Sequence, residues 1–178
     1  MTTEMVLGIL GARNSITKQI IQDEILNPVL NDLMDSTKTK NRPVRILIPS
    51  EPLSSTYVEC WAERLGIEVH SVKSDWVRHG RRAGILRDAH IENECNVFIV
   101  FEGPKSRYYL DLAERIAKRK IGSKVYAVSA NSVSPVLLEI EQASRYAIDD
   151  KEESDILTLP KIWSKSTTTT KCLIEDDY

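Results

Sequence analysis

Short apolar runs along this chain alternate with longer stretches in which apolar residues recur every three or four positions. "MVLGIL" (5–10) predicts a strand that ends at Gly11. Behind it Ile16, Ile20, Leu26, Val29, Leu30 and Leu33 fall at helical spacing, and Pro28 predicts a kink or a split in that helix. "DSTKTKNRP" (35–43) is a polar loop before a second strand, "VRILIP" (44–49). The next helix presents Tyr57, Trp61 and Leu65 on one face. Thr56 and Glu59 have capping-box form at its start, and Gly66 is a natural stop. "IEVHSV" (67–72) is a third strand, followed by a helix over about 81–94. "NVFIVF" (96–101) is continuously apolar from Val97 to Phe101, the pattern of a strand covered on both faces. A helix over 106–120 with Tyr109, Leu112, Ala113 and Ile116 inward leads to a fifth strand, "SKVYAVS" (123–129). Ser134 and Pro135 then read as the cap and first residue of a helix to about 146.

Strands alternating with helices specify an α/β fold: a Rossmann-like, doubly wound parallel sheet of about five strands in the order 3-2-1-4-5. Residues 1–146 make one such domain. Residues 147–178 break the pattern with acidic "DDKEESD", "ILTLPKIW" and polar "SKSTTTTK", and read as a partly flexible C-terminal appendage.

Composition narrows the function classes. Of 178 residues, 24 are Lys or Arg and 26 are Asp or Glu, for a net charge of −2. No global field draws this protein to DNA or to a membrane, so any basic site is local. An extended nucleic-acid interface is not expected. No run reaches the roughly 20 apolar residues of a membrane span, and "MTTEMVLGIL" lacks the basic start of a signal peptide. Cys60, Cys95 and Cys172 are odd in number and widely spaced, which suits a reducing cytoplasm rather than a disulfide scaffold. They share no ligand spacing with the three histidines, so no metal site and no bound cofactor are expected.

Open α/β sheets bind ligands beyond the carboxyl ends of their strands, where the strand order reverses. That rule selects two loops. "GARNS" (11–15) follows strand 1 and offers Gly11, Arg13, Asn14 and Ser15, either as ligand contacts or as a plain turn capped by Ser15. "EGPKSR" (102–107) follows strand 4 and offers Gly103, Lys105, Ser106 and Arg107, either around a phosphate or as a solvated loop. Both lead into helix N-termini, which favour anions. "DWVRHGRRAGILRDAH" (75–90) adds Arg78, Arg81, Arg82 and Arg87. Arginine forks bind phosphate bidentately, while the bland alternative is a solvated helix face.

"SDWVRHGRRAGILRDAH" resembles a segment of the SLOG superfamily, the Rossmann-like group that includes DprA and the LOG phosphoribohydrolases, and is most similar to its YspA-like branch. Asp75, Trp76, Gly80, Ala83, Gly84 and Arg87 carry the resemblance. Asp88 stands where that pattern has asparagine, and the Gly-rich loop is represented by Glu102-Gly103-Pro104-Lys105-Ser106. Arg87 falls on the arginine used in LOG-type cleavage. The position of the LOG glutamate falls near Tyr109, with Asp111 the nearest acid.

The resemblance implies a small nucleotide-like partner: a nucleotide or nucleotide-derived phosphate ligand bound at the switch point by a sensor or sequestering protein. Arg87 clamps that ligand, with Arg82 assisting. The alternative is an N-glycosidase or phosphoribohydrolase acting on nucleoside monophosphates, with Glu102 or Asp111 in the catalytic role. A second alternative is single-stranded nucleic-acid binding. The resemblance also implies a homodimer or higher homo-oligomer.

Overall fold

The computed structural model describes residues 4–11, 16–36 and 42–138. The chain divides into two units, Met1–Glu139 and Ile140–Tyr178. The expected appendage, 147–178, lies outside the described residues, as do Arg13, Asn14 and Ser15.

Five parallel strands form in the first unit where the apolar runs predict them: β1 (Val6–Leu10), β2 (Arg45–Pro49), β3 (Glu68–Val72), β4 (Val97–Phe101) and β5 (Lys124–Val128). A short sixth, β6 (Pro135–Leu137), completes the sheet in the order β3-β2-β1-β4-β5-β6. This is the doubly wound, Rossmann-like α/β arrangement. β1 and β4 lie side by side at its centre, in register from Leu7 opposite Val97 to Leu10 opposite Val100. Every residue of both strands is buried, which is why their sequences are apolar without alternation.

The helices are α1 (Asn27–Ser36), α2 (Leu53–Leu65), α3 (Trp76–His79), α4 (Ala83–Glu94) and α5 (Tyr108–Arg119). One core joins Leu7, Ile9, Ile46, Ile48 and Ile99 of the sheet to Ile21, Ile25, Leu33, Val58 and Trp61. On α4 and α5, Ile91, Leu112 and Ile116 are buried as well. Cys95 is buried at the end of α4, and burial pushes its thiol up to about 12, so it is an inert core thiol at neutral pH.

The structure corrects the expected elements at three places and decides between two alternatives at a fourth. Pro28 does not split its helix. The preceding turns, Ile20–Leu26, widen into a π-helical segment in which the Asn27 N–H reaches back to the Gln22 carbonyl. The wider turn accommodates a proline ring that an α-helical path would press against the carbonyl four residues back. Thr56 and Glu59 form no capping box, because α2 already begins at Leu53 after an extended Pro52. The stop at Gly66 stands, with φ at 66° in the left-handed region. The helix expected over 81–94 is preceded by a separate short turn, α3, and a 3₁₀ turn, Gly80–Arg82. Finally, Pro135 opens no helix: Pro135–Leu137 pairs antiparallel with β5, Val128 opposite Pro135 and Tyr126 opposite Leu137. Proline is at home at the start of an edge strand, where no ladder donor is required of it. The remainder of that expected helix, from 139 on, lies outside the described residues.

Candidate functional site

The carboxyl edge of the sheet is built from the loops that follow β1, β2, β3 and β4. At its centre Gly11 ends β1 with φ +78°, and a Cβ there would lie 2.3 Å from the Phe101 carbonyl oxygen at the end of β4. Only glycine lets the two strand ends come this close. The ends of β1 and β4 thus lie side by side where the strand order reverses, the position at which open α/β sheets bind ligands.

The loop after β4 keeps its charged groups in solvent. Lys105, Ser106 and Arg107 are exposed, and a Cβ built at Gly103 would make an ordinary contact with the Ser106 carbonyl at 3.8 Å. Ser106 Oγ accepts the Tyr108 N–H at 3.2 Å, so the hydroxyl shapes the entry to α5. Arg107 lies 3.7 Å from Asp111 one helical turn on, with both side chains more than half exposed. Such a pair is weakly held, and an anion at the helix N-terminus can take Arg107 from it.

Beside this loop sits a polar cluster centred on Arg87 of α4, buried at Asp88 and open to solvent at Glu51. Its Nε and Nη2 both donate to Asp88 Oδ1, at 3.0 and 2.8 Å. Nη1 donates to Glu51 Oε2 at 2.9 Å and to Ser74 Oγ at 3.3 Å. Nη2 also donates to the Tyr109 hydroxyl at 3.4 Å. All five guanidinium N–H groups thus have partners. Glu51 accepts the Ser74 N–H at 2.9 Å with its other oxygen. Arg87 thereby ties together the loops after β2 and β3, helix α4 and the first turn of α5.

The electrostatics follow from burial. Burial works to lower the Arg87 guanidinium, but Asp88, above all, holds it above its ordinary value, so it stays charged. Burial raises the Asp88 carboxyl, and Arg87 pulls it back only in part. Burial also works to raise Glu51, but hydrogen bonds from Ser74 and the Arg87 charge hold it below its ordinary range. Burial together with the Asp88 charge raises the Tyr109 hydroxyl well above the usual tyrosine range, so it remains a neutral donor and acceptor.

Scanned against protein-family models, curated proteins and solved structures, the chain matches none of them.

The residues marked by the sequence are distributed as follows. Gly11 follows β1, and Gly103, Lys105, Ser106 and Arg107 follow β4, all at the carboxyl edge of the sheet, with 12–15 outside the described residues. Arg87 is close by, but its donors are turned to protein partners rather than left open. Arg82 lies on the exposed 3₁₀ turn, apart from the Arg87 cluster. Glu102 and Asp111 have separate neighbours. Glu102 Oε2 accepts the Ala130 N–H at 3.2 Å, holding the loop after β5, while Asp111 faces solvent beside Arg107. Glu51 and Ser74 belong to no motif and escape a reading of the sequence. The signal that could have found them is positional, since each is the second residue past a strand end at the carboxyl edge.

A cavity of about 210 Å³ lies elsewhere, lined by Pro28, Val29, Asp32, Tyr126, Pro135 and Leu137. Its polar groups are satisfied by one another: the Tyr126 hydroxyl donates to Asp32, and Lys124 Nζ is 3.7 Å from the same carboxylate. Among the described residues, no three His, Cys, Asp or Glu side chains gather as a metal site, and no helix is long and apolar enough to cross a membrane.

Proposed function

We propose that the crevice between the β1 and β4 loops binds a nucleotide or nucleotide-derived phosphate ligand, in the manner of a SLOG-like sensor or sequestering protein. One observation carries the reading. The strand order reverses between β1 and β4, and the loop that leaves β4 there leads to the N-terminus of α5, where Lys105 and Arg107 are exposed. The ligand phosphate sits against that helix end, between Lys105 and Arg107. Arg87 contributes as a frame that fixes the surrounding loops, since its own donors are already engaged.

Binding is favoured over N-glycosidic cleavage because the two acids available for cleavage are placed for other tasks. Glu102 anchors a backbone N–H, and Asp111 is exposed on the first turn of α5 and paired with Arg107 at 3.7 Å. A reducing, cytoplasmic setting belongs to the same proposal and is supported by the free, buried Cys95.

Calorimetry and thermal-shift screening against nucleotides and cyclic nucleotides tests the reading. At least one phosphate-bearing ligand is expected to bind, and Lys105→Ala with Arg107→Ala is expected to weaken it on the order of tenfold or more. If no phosphate-bearing ligand binds, or if the double variant binds as the wild type does, the reading fails.

A further inference from the structure

The turn that joins β3 to α4 is exposed along its length, with the Trp76 ring lying against α4, where a Cβ at Gly84 would meet it at 3.8 Å. Every residue from Asp75 to Arg82 is exposed, and neither α3 nor the 3₁₀ turn behind it buries a side chain. Trp76 is 53% exposed and Val77 is 101% exposed. Leu53, 52% exposed, starts α2 two residues after Glu51, which accepts the Ser74 N–H at 2.9 Å and so ties the loop before α2 to the loop before this turn. Lys73, Arg78, Arg81 and Arg82 surround this apolar tip, and no hydrogen bond or ion pair engages their side chains among the described residues. Asp75, which accepts the Arg78 N–H, offsets one of these four cations, and Glu51 is committed to Ser74 and Arg87, so the turn keeps an excess of positive charge.

A local cationic knob with an apolar tip, in a chain of net charge −2, calls for an anionic partner that also accepts aliphatic groups. A second copy meeting this knob face to face would set like charges together. A nucleic-acid strand stacks successive bases on successive aromatic rings, and Trp76 is the only large aromatic side chain exposed among the described residues. Val77 and Leu53 gain nothing from stacking. The headgroup layer of a bilayer takes all of these groups: tryptophan at the interface, an aliphatic tip at the acyl boundary and arginines on the lipid phosphates.

We propose that the Asp75–Arg82 turn docks this protein onto an anionic lipid surface. Trp76 and Val77 enter the headgroup layer, and Arg78, Arg81 and Arg82 bind the anionic headgroups. This is contact with the surface and not a span, and it stands independently of the ligand crevice.

Sedimentation of the full chain with lipid vesicles tests it, comparing phosphatidylcholine alone with phosphatidylcholine containing roughly one third phosphatidylserine. The protein is expected to bind the phosphatidylserine vesicles selectively and to release as salt rises. Combining Arg78→Gln, Arg81→Gln and Arg82→Gln is expected to weaken binding on the order of a hundredfold, through the surface attraction lost with each arginine. Val77→Asp is expected to weaken it about tenfold. All four positions are exposed, so unchanged circular dichroism and melting confirm that the variants fold. Absence of binding, equal binding to both vesicles, or wild-type binding by the triple variant overturns the proposal. So does a labelled oligothymidylate that binds the wild type and not the triple variant while vesicles stay unbound, an outcome that assigns the knob to nucleic acid.

Discussion

Arg87 Nε and Nη2 both donate to a single oxygen of Asp88, at 3.0 and 2.8 Å, on consecutive residues of α4. The Arg87 side chain is 10% exposed and that of Asp88 is 3% exposed. Removing the arginine leaves a carboxylate buried without its cation. Arg87→Ala is therefore expected to cost about 3–5 kcal/mol in urea unfolding. Replacing both residues with apolar groups of similar volume, Arg87→Met with Asp88→Leu, is expected to cost less than Arg87→Ala alone, because no buried charge is stranded. An Arg87→Ala protein as stable as the wild type would show that the pair holds nothing together.

The same pair sets a dependence on pH. Burial raises the Asp88 carboxyl above its ordinary 3.8. The folded protein holds that proton more tightly than the unfolded chain, so the Asp88 contribution to stability falls as pH rises from about 3.8 through the raised folded value. Glu51 acts in the opposite sense: its contribution is complete above its ordinary 4.5 and is lost as pH falls through the lowered folded value. Unfolding curves of wild type and Asp88→Asn, taken stepwise upward from about pH 4, are expected to show the wild type losing ground relative to the variant. A difference that does not change with pH would mean that Asp88 titrates alike in both states.

Gly11 and Gly66 both hold a positive φ, but their surroundings differ. A Cβ at Gly11 meets the Phe101 carbonyl oxygen at 2.3 Å, whereas one at Gly66 meets nothing within 4 Å. Gly66→Ala is expected to cost about 1–2 kcal/mol, from backbone conformation alone. Gly11→Ala is expected to cost about 1–3 kcal/mol more, because β1 and β4 must move apart. It should also abolish ligand binding in the crevice. Chemical denaturation of the two variants side by side tests the contrast, and equal losses would refute the close approach.

Lys120 fastens the far end of α4. Its ammonium donates to the carbonyls of Glu92 and Cys95 and, at 3.3 Å, to that of Asn93, and it lies 5.3 Å from the centre of the Phe98 ring. Lys120→Met keeps the apolar stem and removes the charge that satisfies these carbonyls. A loss of about 1–2 kcal/mol is expected, together with faster hydrogen exchange in the last turn of α4. Unchanged exchange there would show that the carbonyls do not depend on the lysine.

The five parallel strands and their order, and with it the switch point between β1 and β4, are legible in the chain itself. They follow from local chemistry: runs such as Val97–Phe101 are too apolar for a half-exposed strand, and Gly11 stands where a strand must turn. Long-range packing selected the rest. Ser134-Pro135 can begin a helix or an edge strand, and only pairing with β5 chose the strand. The partners of Arg87 beyond its neighbour Asp88 were equally out of reach, because Ser74, Tyr109 and Glu51 lie 13, 22 and 36 residues away in sequence. No local pattern encodes such contacts; they exist because the parallel sheet gathers the loops after β2, β3 and β4 at one edge. That gathering turned the arginine most clearly marked for a ligand inward, onto protein groups, and left Lys105 and Arg107 facing solvent in the loop after β4.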